Sequence, residues 1–181
     1  MAVLVEAISV LVRLETIAEK YPGGVDQYAQ DCSNANFCMD EDIARVGFMD
    51  PDDTIAFIEN LEDLGFQCIT DDKCDEVAVA DQVNGIVIPC EWLEHLYLVL
   101  FEGDVRVFIC KIADKPLGKI VFPTGWNYET SLSKRVVIVK SEDEDKRMIF
   151  LRHEGGVDFY LDALTGQEVF IKRARRRRMN A

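Results

Sequence analysis

The run Val3-Leu4-Val5-Glu6-Ala7-Ile8-Ser9-Val10-Leu11-Val12 constrains this fold more than any other stretch of the chain. It is rich in β-branched residues and almost continuously apolar. It lacks the alternation of a half-exposed strand, so it predicts a strand buried on both faces near the middle of a sheet. Two helical periods follow directly. Leu14, Ile17, Ala18 and Tyr21 form the first, stopped by Pro22-Gly23-Gly24. Val25, Tyr28, Ala29 and Cys32 form the second, with Asp26, Gln27, Gln30 and Asp31 on its polar face. Residues 33–36 read as a loop.

Residues 43–49 predict a second strand with Ala44, Val46 and Phe48 on one face. Asp50 then caps a helix, and Pro51 takes a first-turn position where a missing N–H costs nothing. Asp52 and Asp53 suit the positive end of the helix dipole. Phe57, Ile58, Leu61 and Leu64 form the expected buried stripe, and Gly65 ends the helix in the left-handed conformation. Residues 66–70 and 76–80 predict two strands joined by the acidic turn Asp71-Asp72-Lys73. Beyond about residue 84 short strands take over, at 85–88, 95–101, 105–112, 119–122, 135–140, 148–152, 157–161 and 168–172. Turns are marked by Gly103-Asp104, by the charged run 141–145 and by Leu164-Thr165-Gly166.

The expected architecture is α+β. An N-terminal strand–helices–strand–helix–strand unit packs with a C-terminal antiparallel β meander. Residues 1–171 form one domain, with 1–82 and 83–171 as alternative subdomains, and 172–181 form a basic tail. A chain of 181 residues with 49% hydrophobic and 29% charged content buries a sizeable core without staples.

Charge narrows the partners. The chain carries 20 Lys+Arg and 33 Asp+Glu, a formal net charge of −13. Six of those bases fall within the last ten residues, so residues 1–171 hold 14 bases against 33 acids, a net of −19. Such a body repels a phosphate backbone and attracts a basic protein. The N-terminus has no basic leader and no clean cleavage site, and no apolar run approaches the roughly 18 residues of a spanning helix. A cytoplasmic location without membrane attachment is therefore expected, with the six cysteines mostly reduced.

Cys32/Cys38 and Cys68/Cys74 each have five residues between partners, wider than the usual zinc spacing. With only His95 and His153 to complete a ligand set, no metal and no cofactor are expected. Cys32, Cys90 and Cys110 read as small core residues. Cys68 and Cys74 are expected to flank a hairpin turn and to lie close enough to oxidise in air.

No G-x-S-x-G elbow, P-loop, G-x-G-x-x-G or H-E-x-x-H motif occurs. Three constellations remain. Pro89-Cys90-Glu91-Trp92-Leu93-Glu94-His95 gathers a thiol, carboxylates, an indole and an imidazole. Positions 90 and 95 of a strand point to opposite faces, however, which favours a structural crossing anchored by Trp92 and Leu93. His153 and Asp158 flank a Gly-Gly turn, where a hairpin brings them face to face as an acid/base dyad or as a surface link. Trp126 sits in the turn Pro123-Thr124-Gly125-Trp126-Asn127-Tyr128 and reads as a recognition anchor or as the plug of a β core. Trp92, Trp126, His153 and Asp158 are thus the candidate binding residues, and no catalytic residue is assigned.

Residues 1–7, Pro22-Gly23-Gly24, Val46-Gly47-Phe48-Met49-Asp50-Pro51, residues 89–94, Thr124-Gly125-Trp126 and residues 151–158 together resemble a family of bacterial proteins with no established activity. The resemblance implies a bacterial origin and carries no cofactor or site residue with it. The function expected from the residues is a non-enzymatic interaction or regulatory protein with an acidic surface, such as an immunity-type inhibitor of a basic partner. The alternative is a small enzyme or ligand-binding protein with a pocket between the two halves.

Overall fold

The computed structural model describes residues 1–33, 36–82, 84–100, 105–131, 133, 148–154, 157–162 and 168–171. The chain divides into two compact units, Met1–Ser133 and Lys134–Ala181. The first unit holds β1 (Ala2–Val5), β2 (Ile8–Arg13), α1 (Leu14–Lys20), α2 (Gly24–Asp31), β3 (Phe37–Met39), β4 (Ile43–Phe48) and α3 (Pro51–Asp63). It continues with β5 (Ile69–Thr70), β6 (Lys73–Cys74), β7 (Val77–Asp81), β8 (Gly85–Ile86), β9 (Leu93–Leu100), β10 (Val105–Ile112), β11 (Ile120–Val121) and a 3-10 turn, Tyr128–Thr130. The second unit contains β12 (Met148–Glu154), β13 (Val157–Asp162) and β14 (Glu168–Ile171), an antiparallel sheet in that order. The class is α+β.

The apolar run 3–12 is buried on both faces, as its composition requires, but it forms two strands rather than one. β1 is central in the sheet β11-β1-β10-β9, whereas β2 is central in the sheet β3-β4-β2-β7-β8. The chain crosses between sheets at Glu6 and Ala7, where Ala7 takes a left-handed φ of 46°. Gln82 fixes this corner: its side-chain Oε1 accepts from Ala7 N at 2.8 Å, and its own N–H donates to Ala7 O at 2.8 Å. Alternation along each strand then sorts the side chains. Val3, Val5, Leu11, Ile43, Ala78 and Ala80 share one buried cluster, which lies between the two sheets. Val10, Val12, Ala44 and Val46 belong to a second cluster with Ile17, Tyr28 and Leu61 of the helices. Leu4 and Val107, on the far face of the four-stranded sheet, pack with Phe122, Trp126 and Tyr128. The unit is layered as helices, sheet, sheet and a loop cover.

The helix 51–63 follows its sequence signals. Asp50 accepts from Asp52 N at 2.7 Å, and Gly65 is left-handed at φ 87°. Its stripe is narrower than expected, because Leu64 lies past the last helical turn and is 38% exposed. The acidic turn is a two-residue hairpin with Asp71 and Asp72 both at positive φ, as the twist of paired strands favours. The second strand of that hairpin is β6, not residues 76–80. Those residues belong to β7, which pairs with β2. β1 and β11 run parallel, and the other named strand pairs are antiparallel. Among the described residues no helix is long and apolar enough to cross a membrane. The predicted strand 135–140, the turns at 103–104, 141–145 and 164–166, the Gly155-Gly156 pair and the tail 172–181 lie outside the described residues.

Candidate functional site

Glu6 and Arg45, at the corner between the sheets, are almost completely buried. Arg45 donates Nε–H to Ser9 Oγ at 2.9 Å, Nη1–H to Asn36 O at 2.7 Å and Nη2–H to Glu6 O at 3.3 Å. Burial lowers its pKa, opposed by the neighbouring Cys38 and Glu6. Glu6 Oε1 accepts from Trp126 Nε1 at 3.0 Å, from Ser133 N at 3.0 Å and from Ser133 Oγ at 2.7 Å. A buried charge is tolerated when its hydrogen-bonding capacity is met, and here it is met by fixed groups. This centre holds the corner and offers nothing to a ligand. Trp126 is therefore tied inward and half-buried against Phe122 and Tyr128, with ring centroids 4.7 and 6.5 Å away.

Trp92 is placed differently. It packs into the core between the sheets at 8% exposure, and the Arg13 guanidinium lies 4.8 Å from its ring centroid. Both residues line a cleft of about 350 Å³ whose other walls are Leu14, Ile112 and Ala113 and whose polar lining is Glu15, Glu41, Asp42, Asp114 and Lys115. Four chain segments meet there, joined in pairs by backbone bonds: Leu14 N donates to Asp42 O at 2.8 Å, and Ala113 N donates to Trp92 O at 3.0 Å. Arg13 pairs with Glu15 at 3.1 Å, and Lys115 pairs with Asp42 at 2.5 Å. Glu41 and Asp114 have no ion-pair or hydrogen-bond partner among the described residues, and both are exposed. Lys115 registers the resulting field, its pKa raised by its bond to Asp42 and by Asp42, Asp40 and Glu41 nearby. The cleft thus has an apolar floor and a rim with four carboxylates against two cations.

The cysteines separate into two kinds. Burial pushes Cys32 and Cys38 up to about 11, and Cys68 and Cys110 up to about 12. Cys74 instead is held down to about 7, chiefly because the Cys90 thiol donates a hydrogen bond to its sulfur, with burial opposing. All six are free thiols. Cys68 and Cys74 do flank the acidic hairpin, yet the thiol bonded to Cys74 is Cys90, reached through a separate parallel bridge. His95 stacks on Phe108 at 5.1 Å, and its Nε2 is buried without a hydrogen-bond partner among the described residues. Burial lowers its pKa, against the charge of Asp81.

The backbone register of β12 and β13 pairs His153 with Asp158; their side chains lie outside the described residues. Among the described residues no group of three or more His, Cys, Asp or Glu side chains is arranged to hold a metal ion. Of the two candidate tryptophans, Trp92 lines the cleft and Trp126 does not. Arg13, Glu41, Asp42, Asp114 and Lys115 were not legible as a set, because the stacking of two sheets, not any local spacing, gathers them. The acid pair Glu41-Asp42 and the turn Asp114-Lys115 were visible only as surface charge. No protein-family model, curated protein or solved structure matches this chain.

Proposed function

We propose that this chain is a non-enzymatic interaction protein whose acidic cleft receives a basic segment of a protein partner. The observation that carries the reading is the cleft rim, where Glu41 and Asp114 have no ion-pair or hydrogen-bond partner among the described residues and lie beside an apolar floor of Trp92, Leu14 and Ile112. A lysine or arginine side chain suits that arrangement, its aliphatic stem against the floor and its charged head at the carboxylates. The wider charge of −13 would speed the encounter, as in an inhibitor of a basic nuclease toxin. The same charge argues for a protein rather than a nucleic acid. Six free thiols suit a reducing compartment, which we take to be the cytoplasm of a bacterial cell.

The cleft volume of about 350 Å³ also lies within the span of small-molecule sites, and this favours the ligand-binding alternative. Capture of the partner from a cell extract, followed by binding kinetics on the purified pair, separates the two. The interaction reading expects an association rate that falls as salt rises. It also expects Glu41→Lys with Asp114→Lys to slow association by about tenfold or more. A small molecule bound with an affinity indifferent to salt and to both charge reversals would replace it.

A further inference from the structure

We propose that Cys74 and Cys90 form a specific peroxide-oxidation site, which closes to an intramolecular disulfide and reopens on reduction. The argument begins with backbone placement. Cys74 and Cys90 face each other across an isolated parallel bridge, and Cys74 N donates to Pro89 O at 2.8 Å. Adjacent strands lie about 4.8 Å apart, inside the range of about 4.4 to 6.8 Å that a disulfide needs between Cα atoms. The backbone spacing across the bridge is therefore compatible with a bond between the sulfurs.

The surroundings favour reaction at this pair over the other thiols. The hydrogen bond from Cys90 lowers the Cys74 pKa and raises that of Cys90, which favours Cys74 as the thiolate of the pair; as a thiol, Cys74 Sγ donates to Ile88 O at 3.6 Å. Cys32, Cys38, Cys68 and Cys110 are buried and held as thiols well above neutrality. Cys90 is only half-buried and gives the pair an opening to solvent. Cys74 is 7% exposed, which selects a small oxidant. The Lys73–Glu91 ion pair brackets the two cysteines on the surface side of the chain, one residue from each.

Hydrogen peroxide meets these requirements. The Cys74 thiolate attacks one peroxide oxygen, the O–O bond breaks, and hydroxide leaves and takes up a proton to become water. Cys74 is then a sulfenic acid. The Cys90 sulfur attacks Cys74 Sγ, the S–S bond forms as the S–O bond breaks, and the departing hydroxide takes the Cys90 proton as a second water. Two thiols lose two electrons and the peroxide gains them. A dithiol reductant reverses the change by thiol–disulfide exchange.

The test is peptide mapping of the full-length protein by mass spectrometry after limited peroxide treatment, without prior reduction. We expect a disulfide joining Cys74 to Cys90, and loss of both thiols about tenfold faster than loss of Cys32, Cys38 or Cys110. Cys68→Ser should leave that disulfide unchanged. Cys90→Ser should stop the reaction at a sulfenic acid on Cys74 that a dione reagent traps. The wild-type map alone decides if a variant fails to fold. A disulfide joining Cys68 to Cys74 in its place, or equal loss across the thiols with no specific bond, overturns the proposal.

Discussion

Around Arg45, charged groups are enclosed and satisfied: guanidinium, carboxylate, hydroxyls and an indole N–H meet within hydrogen-bonding distance. Around Trp92, in the same unit, the carboxylates lining the cleft outnumber the cations, and two of them have no ion-pair or hydrogen-bond partner among the described residues. The tryptophans mark the contrast. Trp126 donates its N–H to buried Glu6 and closes a core, whereas Trp92 floors an open cleft. Satisfied buried charge specifies the fold and is costly to disturb. Unsatisfied exposed charge contributes little to stability and is available to a partner.

The comparison is broken most severely at Arg45. Arg45→Ala should cost about 3–5 kcal/mol, because it removes one charged donor from each of Ser9 Oγ, Asn36 O and Glu6 O and opens a cavity. Urea denaturation measures this, and a loss under about 1 kcal/mol would mean the centre is dispensable. Trp126→Phe keeps most of the ring packing and removes one hydrogen bond to a charged acceptor. It should cost about 1.5–3 kcal/mol and leave partner binding unchanged. An effect on dissociation instead of on stability would restore Trp126 as an anchor.

A smaller effect is expected at His95. Burial holds its pKa below the ordinary 6.5, so the unfolded chain takes up a proton that the folded chain refuses. Stability should fall as pH drops below about 6.5 and level off once the folded His95 titrates. His95→Gln should flatten that slope in denaturation curves across this range. Smallest of all, Glu41→Lys and Asp114→Lys should change stability by no more than about 0.5 kcal/mol, since both side chains are exposed and make no ion pair or hydrogen bond among the described residues. A large loss of stability from either would put the cleft carboxylates in the same class as Glu6.

The sequence carried the local elements well where the chemistry is local. The Asp50-Pro51 start, the Gly65 stop and the Asp71-Asp72 turn depend on neighbours in the chain. The apolar run 3–12 showed its double-sided burial, but not its division between two sheets. That break rests on Gln82, a residue far along the chain, and on a buried carboxylate that looks like any surface glutamate until Trp126 and Ser133 reach it. The cleft was hidden for a similar reason. Residues 13, 41–42, 92 and 112–115 become neighbours only when the sheets stack. Cys90 likewise meets Cys74 through a tertiary bridge, while the even spacing of Cys68 and Cys74 drew attention to the hairpin.

The contrast between the two charge centres can be read in a single titration of isotope-labelled protein by NMR, with a capped oligoarginine peptide as the probe. The acidic-cleft account predicts saturable shift changes at Glu41, Asp42, Ala113, Asp114 and the Trp92 indole, with the Trp126 indole unmoved. Those changes should shrink as salt rises from about 0.01 M to about 0.15 M and the Debye length falls from about 30 Å to about 8 Å. Shifts scattered over the surface away from these residues, or equal shifts with an oligoglutamate peptide, would contradict it.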